Sequence, residues 1–189
     1  MKIKSLLIIL VSFLLITYSC AKEEKYIIPL SGEYLPMQLE NYWEIKYAGK
    51  ITITGTKVLD NKQYYLFSNG TFDTYYRNEN NKIYTLGAFG NEYLIYDLTA
   101  SINEIWQYQI DGTIWNAQLQ SKTDTITINN TKIPNCYRFY FDSPQMEDEE
   151  NTVWLAPGIG FIKIKCMYCI SNDQTLINAK INNQLIRFP

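Results

Sequence analysis

The feature of this chain that most constrains its fold is an alternation of apolar and polar side chains with a period of two residues. The alternation is clearest at residues 43–47, 51–54 and 125–128. Successive side chains of a β-strand point to opposite faces, so each stretch predicts a strand with one buried and one solvated face. Asn, Asp and Gly tolerate the positive φ of tight hairpins, and clusters of them predict chain reversals between neighbouring strands. Such clusters occur at 60–62, 68–70, 78–81, 111–112, 129–130 and 182–183.

These signals predict an all-β fold of about eleven to thirteen short strands. A single antiparallel meander of that size tends to curl, so we expect a curved open sheet, a half-barrel, a barrel or a sandwich. Helical periodicity is weak, and its best candidate, residues 93–106, is interpreted as strand, turn, strand because β-branched and aromatic residues dominate it. Six side chains are predicted to face the core: Trp43, Tyr47, Trp106, Phe139, Phe141 and Ile164.

The N-terminal segment has the organisation of a secretory signal. Lys2 and Lys4 precede an uncharged, apolar run over residues 6–16, which is shorter than the ~20 residues that span a bilayer. The small Ser19 comes directly before Cys20. The segment resembles a bacterial lipoprotein signal, which implies cleavage before Cys20 and attachment of a diacylglycerol anchor to the Cys20 sulfur.

The residues after Cys20 predict a tether and a destination. Lys22, Glu23 and Glu24 resemble the short lysine-and-acid tag with which Bacteroidetes-type bacteria send lipoproteins to the outer face of the outer membrane. A lipid-anchored protein that faces the periplasm is the alternative. The chain is therefore divided into a signal peptide at 1–19, a lipidated tether at 20–33 and a single β-domain at 34–189.

Charge and composition argue against several function classes. The 17 Lys and Arg against 19 Asp and Glu give a formal net charge of −2 without a basic cluster, so no nucleic-acid partner is expected. The chain has no histidine, which removes the usual general base and the commonest transition-metal ligand. No nucleophile elbow, P-loop or dinucleotide motif occurs. We therefore assign no catalytic residue, no metal site and no cofactor, and we interpret the acidic run at 146–151 as a solvated loop.

Three cysteines remain once Cys20 is assigned to the lipid anchor. Cys166 and Cys169 have the spacing of a redox pair, but no helix pattern follows them to lower a thiol pKa. Three thiolates without histidine also make a poor zinc site. In an oxidising compartment we instead expect a disulfide bond from Cys136 to Cys166 or Cys169, on adjacent strands, with the connectivity left open.

Two stretches resemble the opening and closing segments of a broad group of Bacteroidetes-type secreted lipoproteins of unknown function. They are EYLPMQLENYWEIKY at 33–47 and NTVWLAPGIGFIKIK at 151–165. Residues 93–106 and 124–139 are similar to two middle segments of the group, in the same order. The resemblance implies a curved antiparallel sheet, distantly similar to half-barrel lipoprotein carriers of the LolA/LolB type, and no assigned activity.

The resemblance differs at two positions where glycine is expected, and its closing segment contains two glycines. Glu40 and Asn103 stand where the group usually has glycine. In the closing segment Pro157 fixes φ and ends a strand, while Gly158 and Gly160 permit a tight turn or bulge. We interpret the closing segment as a structural corner rather than as the rim of a ligand site.

Two function classes stay open. The first is a non-catalytic, membrane-anchored lipoprotein that binds a glycan, an apolar ligand or another protein through aromatic side chains, which make up 15% of the chain. The alternative is a glycan-directed hydrolase of the cell envelope that uses dispersed carboxylates. A concave aromatic face would favour binding, and two carboxylates facing each other about 5–9 Å apart in a cleft would favour hydrolysis.

Overall fold

The computed structural model of the protein describes residues 32–166 and 174–188. Within these residues there are thirteen β-strands and no helix, so the all-β prediction is confirmed. The strands are β1 (Tyr42–Ile45), β2 (Gly49–Leu59), β3 (Lys62–Ser68), β4 (Asp73–Glu79), β5 (Lys82–Leu86), β6 (Glu92–Asp97), β7 (Ile105–Ile110), β8 (Thr113–Ile128), β9 (Thr131–Asp142), β10 (Asn151–Ala156), β11 (Gly160–Cys166), β12 (Gln174–Ile181) and β13 (Gln184–Arg187).

All of these strands pair antiparallel in one continuous sheet. The order across it is β6-β5-β4-β3-β2-β1-β12-β11-β10-β9-β8-β7, with β13 paired to β12. The first and last strands of this path, β6 and β7, approach each other, and the indole Nε1 of Trp106 donates a hydrogen bond to the carbonyl of Leu94 across the gap (3.1 Å). The sheet is therefore a meander that nearly closes into a barrel, which is one of the predicted architectures.

The hairpin turns lie where the sequence predicts them. Asn, Asp or Gly pairs with positive φ connect consecutive strands at 60–61, 80–81, 111–112, 129–130 and 182–183. Two consecutive residues with positive φ define the turn whose twist matches that of antiparallel strands. The predicted reversal at 68–70 also occurs, between β3 and β4, with the side-chain oxygen of Asn69 accepting from the backbone N–H groups of Thr71 and Phe72.

The core combines aliphatic and aromatic side chains and contains five of the six predicted ones. Trp43 and Phe139 are fully buried, Phe141 is buried, and Trp106 and Ile164 are partly buried against the core. The prediction for Tyr47 is wrong, because its side chain is 56% exposed. β1 ends at Ile45, and the residue two positions later adopts φ of +64° in a turn, so the alternation of the strand does not continue through it.

The opening and closing segments of the chain meet in space. The indole Nε1 of Trp43 donates to the carbonyl of Ile159 (2.6 Å), and the N–H of Gly158 donates to the carbonyl of Glu33 (2.9 Å). A Cβ added at Gly160, whose φ is +96°, would lie 2.8 Å from Trp43 Nε1. The predicted tight turn is confirmed: residues 157–159 connect β10 to β11, and Trp43 packs against this turn.

Glu40 and Asn103, at which the resemblance leads us to expect glycine, share a backbone conformation. Glu40 has φ of +68° and Asn103 has φ of +69°, the left-handed region that glycine adopts without strain. The strand, turn, strand interpretation of residues 93–106 is also confirmed, because β6 ends at Asp97 and β7 begins at Ile105. Asn103 lies in the connection between them.

Candidate functional site

The two ends of the sheet differ in the connections that they carry. In a meander, successive connections alternate between opposite ends. The end that we call the loop end carries residues 46–48, 69–72, 87–91, 111–112 and 143–150. The other, which we call the asparagine end, carries residues 60–61, 80–81, 98–104, 129–130, 157–159 and 182–183. The first described residues lie at the asparagine end, since Glu33 bonds to Gly158 there.

Among the residues that the structure describes, exposed aromatic side chains occur only at the loop end. Tyr47, Phe72 and Phe89 are 56%, 72% and 88% exposed, and they are the only exposed aromatic residues among those that the structure describes. Met146, also exposed, lies on another connection of the same end. Large exposed apolar groups elsewhere are aliphatic. Exposed aromatic groups on adjacent loops are typical of recognition surfaces rather than of inert protein surface.

A cavity of about 470 Å³ lies at the loop end, between the connection at 87–91 and the turn at 111–112. We call it the seam cavity, because it lies where the two ends of the sheet approach each other. Its lining combines two aromatic rings, two side-chain amides and one carboxylate with small residues: Phe89, Tyr93, Asn91, Gln109, Asp111, Ala88 and Gly112.

Hydrogen bonds hold the walls of the seam cavity in place. The N–H of Ala88 donates to Asp111 Oδ1 (3.4 Å), which links the two walls. The side-chain amide of Gln109 donates to the carbonyl of Gly112 (3.2 Å). Within the 87–91 connection, the N–H of Gly87 donates to the carbonyl of Asn91 (2.9 Å). The cavity is therefore built largely in advance of any ligand.

Gly87 sets the position of one aromatic wall. A Cβ added there would lie 2.8 Å from Cε2 of Tyr93, closer than real Cβ contacts. The absence of a side chain at Gly87 is what lets the Tyr93 ring lie against the loop backbone. A larger residue at this position would displace the ring and change the shape of the cavity.

Charged side chains form a separate cluster across β3, β4 and β6. The carboxylate of Glu92 accepts from the guanidinium of Arg77 through both Nε and Nη2, from the Tyr64 hydroxyl (2.6 Å) and from the Lys62 ammonium (2.9 Å). Arg77 also bonds to Glu79 (2.8 Å). The bonds from Arg77, and then those from Tyr64 and Lys62, lower the pKa of Glu92 to about 2.

The bonds of this ionic cluster connect β3, β4 and β6. A depression of about 390 Å³ adjoins it, but the Arg77 guanidinium in its wall already binds two carboxylates. A glycosidase acid needs a raised pKa. The two described carboxyl groups with a displaced pKa are both lowered, Glu92 by its partners and Asp97 because hydrogen bonds from Thr99 and Lys82 outweigh its burial.

Residues 146–148 of the acidic run are exposed, as predicted, whereas Glu149, Glu150 and Asn151 are partly buried. Glu149 makes a hydrogen bond within its own loop, in which its Oε1 accepts from the N–H of Ser143 (3.1 Å). Within residues 32–166 and 174–188 no group of three or more Cys, Asp or Glu side chains is placed to hold a metal ion. Nor do these residues include a helix of sufficient length and apolarity to cross a membrane.

The expected disulfide bond from Cys136 is wrong. Cys136 is a buried, free thiol, and burial raises its pKa to about 11. The reason is the strand order, because β10 lies between β9 and β11. Asn151 of β10 pairs with Cys166 on one side and with Phe141 on the other. Phe141 is five residues along β9 from Cys136. At roughly 3.3 Å per residue and about 4.8 Å per strand, the two cysteines lie well beyond the ~7 Å Cα separation that a disulfide bond can bridge. Cys166 is itself disulfide-bonded.

The predicted anchor and export residues, Cys20, Lys22, Glu23 and Glu24, lie outside the described residues, as does Cys169. Sequence reasoning missed the exposed tips Phe72 and Phe89. A signal for them is present, since SNGTFD and GAFGNEY each place an aromatic residue inside a glycine- and asparagine-rich turn, where no neighbouring strand can cover it.

Comparisons with known proteins give one structural similarity. No protein-family model matches the chain, and no curated protein matches it. The structure is similar to that of a "putative lipoprotein" from Parabacteroides distasonis ATCC 8503, with 14% sequence identity over 82% of this chain and 99% of that one and a TM-score of 0.37. Similarity of this extent carries no argument about function.

Proposed function

We propose that the protein is a non-catalytic lipoprotein of the bacterial outer membrane, anchored through Cys20, displayed at the cell surface, and binding its ligand with the loop end of its β-domain. The short apolar run ending in Ser19 and Cys20 supports the anchor, and Lys22, Glu23 and Glu24 support outward display. A periplasm-facing orientation is the alternative.

The observation that carries the binding function is that, within residues 32–166 and 174–188, every exposed aromatic side chain lies at the loop end. An exposed ring such as Phe72 or Phe89 contributes nothing to the core and adds a risk of aggregation, so its retention on a loop tip favours a role in contact with a ligand. Aromatic rings are the side chains that contribute most to binding, because they supply a large contact area with few rotatable bonds.

The position of the tether is consistent with this function. Residue 33 lies at the asparagine end, and the thirteen residues from Cys20 to Gly32 span at most ~47 Å when fully extended. A tether attached at the asparagine end makes the loop end the part of the domain farthest from the point of attachment. The exposed aromatic rings would then face ligands that approach from the surroundings.

Binding is better supported than catalysis by the chemistry of the chain. There is no histidine in the sequence, and Glu92, the most strongly perturbed carboxylate of the described residues, stays ionised down to a pH of about 2. An ionised carboxylate cannot protonate a leaving group. The hydrolase is therefore kept as an outcome of the test rather than as a second proposal.

The test uses the soluble fragment 21–189 and a matched pair of double variants. The fragment is screened for saturable binding to glycans and lipid vesicles, and for turnover of generic hydrolase substrates. Phe72→Ala with Phe89→Ala should abolish or strongly weaken binding. Leu39→Ala with Val58→Ala, which removes exposed apolar groups away from the loop end, should leave it unchanged.

Three results would count against the proposal. The first is that no ligand of the panel shows saturable binding. The second is that binding survives the loop-end variant or is lost equally in the control. The third is turnover that disappears when a single carboxylate is replaced, which would establish the hydrolase instead.

A further inference from the structure

We infer that the seam cavity binds a neutral saccharide unit, with the ring of Phe89 against one face of the sugar and the side chains of Asn91, Gln109 and Asp111 on its hydroxyl groups. This inference rests on the proposed function, because it names the ligand that the loop end would recognise. The volume of the seam cavity, about 470 Å³, falls within the range of small-molecule sites, ~300–1,000 Å³.

The lining of the seam cavity matches the two kinds of surface on a sugar. A pyranose presents C–H groups on its faces and hydroxyl groups around its edge, so its partner must offer an apolar plane beside polar groups. Phe89 supplies an open plane that is 88% exposed, and Tyr93 supplies a second ring with a polar edge. An aromatic ring flanked by amides provides both surfaces together.

The polar side chains of the lining match the hydrogen-bonding capacity of sugar hydroxyl groups. A hydroxyl group both donates and accepts a hydrogen bond, and the side-chain amides of Asn and Gln do the same. Asn91 and Gln109 can therefore bond to sugar hydroxyl groups that act as donors and to those that act as acceptors. Asp111 accepts only, and its Oδ1 already receives the long bond from Ala88, which leaves Oδ2 for a ligand hydroxyl.

The charge of the lining distinguishes neutral saccharides from the other ligand classes. The residues that line the seam cavity include no Lys or Arg, while Asp111 carries a negative charge. A phosphorylated or acidic sugar would bring a second negative charge beside that carboxylate without a cation to offset it. An acyl chain would bury the amides and the carboxylate without hydrogen bonds, which is unfavourable.

Backbone hydrogen bonds fix the loops around the seam cavity. The loop that carries Phe89 is closed by the bonds from Gly87 N–H to Asn91 O and from Gly90 N–H to Gly87 O (3.0 Å). The bond between Ala88 and Asp111 links this loop to the opposite wall. Because these backbone segments are already ordered, less conformational entropy is lost when a ligand binds.

The experiment measures binding of fragment 21–189 to an array of neutral and acidic saccharides, followed by calorimetric titration with the strongest neutral binder. Phe89→Ala and Gln109→Leu should each weaken binding by about 10-fold or more, the change that corresponds to the loss of one good contact. Gln107→Leu is the matched control, since Gln107 is an exposed glutamine on the same strand that bonds to Asn116 outside the cavity. It should bind normally.

The outcomes separate this inference from the function on which it rests. Preference for acidic saccharides, or neutral-saccharide binding that is indifferent to Phe89→Ala and Gln109→Leu, would overturn the inference. Binding of a lipid or another ligand through Phe72 and Phe89, without saccharide binding, would overturn the inference and leave the proposed function standing. A fragment that binds nothing would overturn both. Circular dichroism of each variant excludes misfolding as the cause.

Discussion

Replacement of Trp43 by alanine tests whether the contact between the opening segment at 33–47 and the closing segment at 151–165 stabilises the sheet. The Trp43 side chain is 0% exposed and stacks on Phe67, with ring centroids 5.6 Å apart and planes 12° from parallel. The Trp43 and Phe161 rings are nearly perpendicular, with centroids 5.7 Å apart, and Trp43 Nε1 donates to the carbonyl of Ile159. Removal of the indole therefore creates a cavity and takes the donor from a buried carbonyl.

The expected loss is about 3–5 kcal/mol of the free energy of unfolding, as for other large buried aromatic residues. That is a large part of the ~5–15 kcal/mol by which a typical domain is stable. Trp43→Phe should cost less, about 1–3 kcal/mol, because it keeps most of the ring contacts and loses the hydrogen bond. The ratio of the two losses separates packing from hydrogen bonding.

Equilibrium unfolding of fragment 21–189 in urea, followed by circular dichroism, measures these losses without relying on tryptophan fluorescence. Tyr47→Ala is the control, since its ring is more than half exposed, and it should change stability by less than ~0.5 kcal/mol. A loss below ~1 kcal/mol for Trp43→Ala would refute the reasoning. So would a loss for Tyr47→Ala as large as that for Trp43→Ala.

Three further predictions concern acid stability, the anchor and the export tag. Because the pKa of Glu92 is lowered from 4.5 to about 2, its ionised form stabilises the fold above pH 4.5, and this contribution of at most ~3 kcal/mol is lost as the pH falls from 4.5 to about 2. Glu92→Gln should therefore lower stability at pH 7 and flatten the acid-unfolding curve over that window, whereas an unchanged curve would show that the ionic cluster contributes nothing. Metabolic labelling with palmitate should mark the wild type and leave Cys20→Ala unlabelled, and equal labelling would contradict lipidation. Replacement of Lys22, Glu23 and Glu24 by alanine should remove accessibility to protease in intact cells, while unchanged accessibility would count against the tag.

Local features of the fold were predictable because their causes are local. An Asn or Asp pair between two alternating stretches specifies a hairpin through its own φ angles, and the pairs at 60–61, 80–81 and 129–130 form such turns. Tyr47 shows where this reasoning fails. The alternation of Trp43 and Ile45 extends to Tyr47, but the N–H of Ala48 bonds to the carbonyl of Ile45 and the chain reverses before the next strand position.

Long-range features depend on strand order, which period-two patterns do not determine. The disulfide prediction for Cys136 assumed that β9 and β11 are neighbours, whereas β10 lies between them. The seam cavity forms because β6 and β7, separated by the 98–104 connection, meet at the edges of one sheet. Its residues come from β6, β7 and the connections at 87–91 and 111–112, which no sequence pattern relates. The turns around Phe72 and Phe89 indicate from the sequence that both rings are exposed. The sequence does not indicate that both lie at the same end of the sheet.

The central claim is that the loop end recognises the ligand, and nuclear magnetic resonance of ¹⁵N-labelled fragment 21–189 titrated with a neutral saccharide that binds it tests this most directly. We expect the backbone shift changes to cluster at 87–91 and 111–112, with smaller changes at 69–72 and none at 60–61, 80–81 or 129–130. Changes that cluster at the asparagine end, or that spread evenly over the sheet, would contradict the claim.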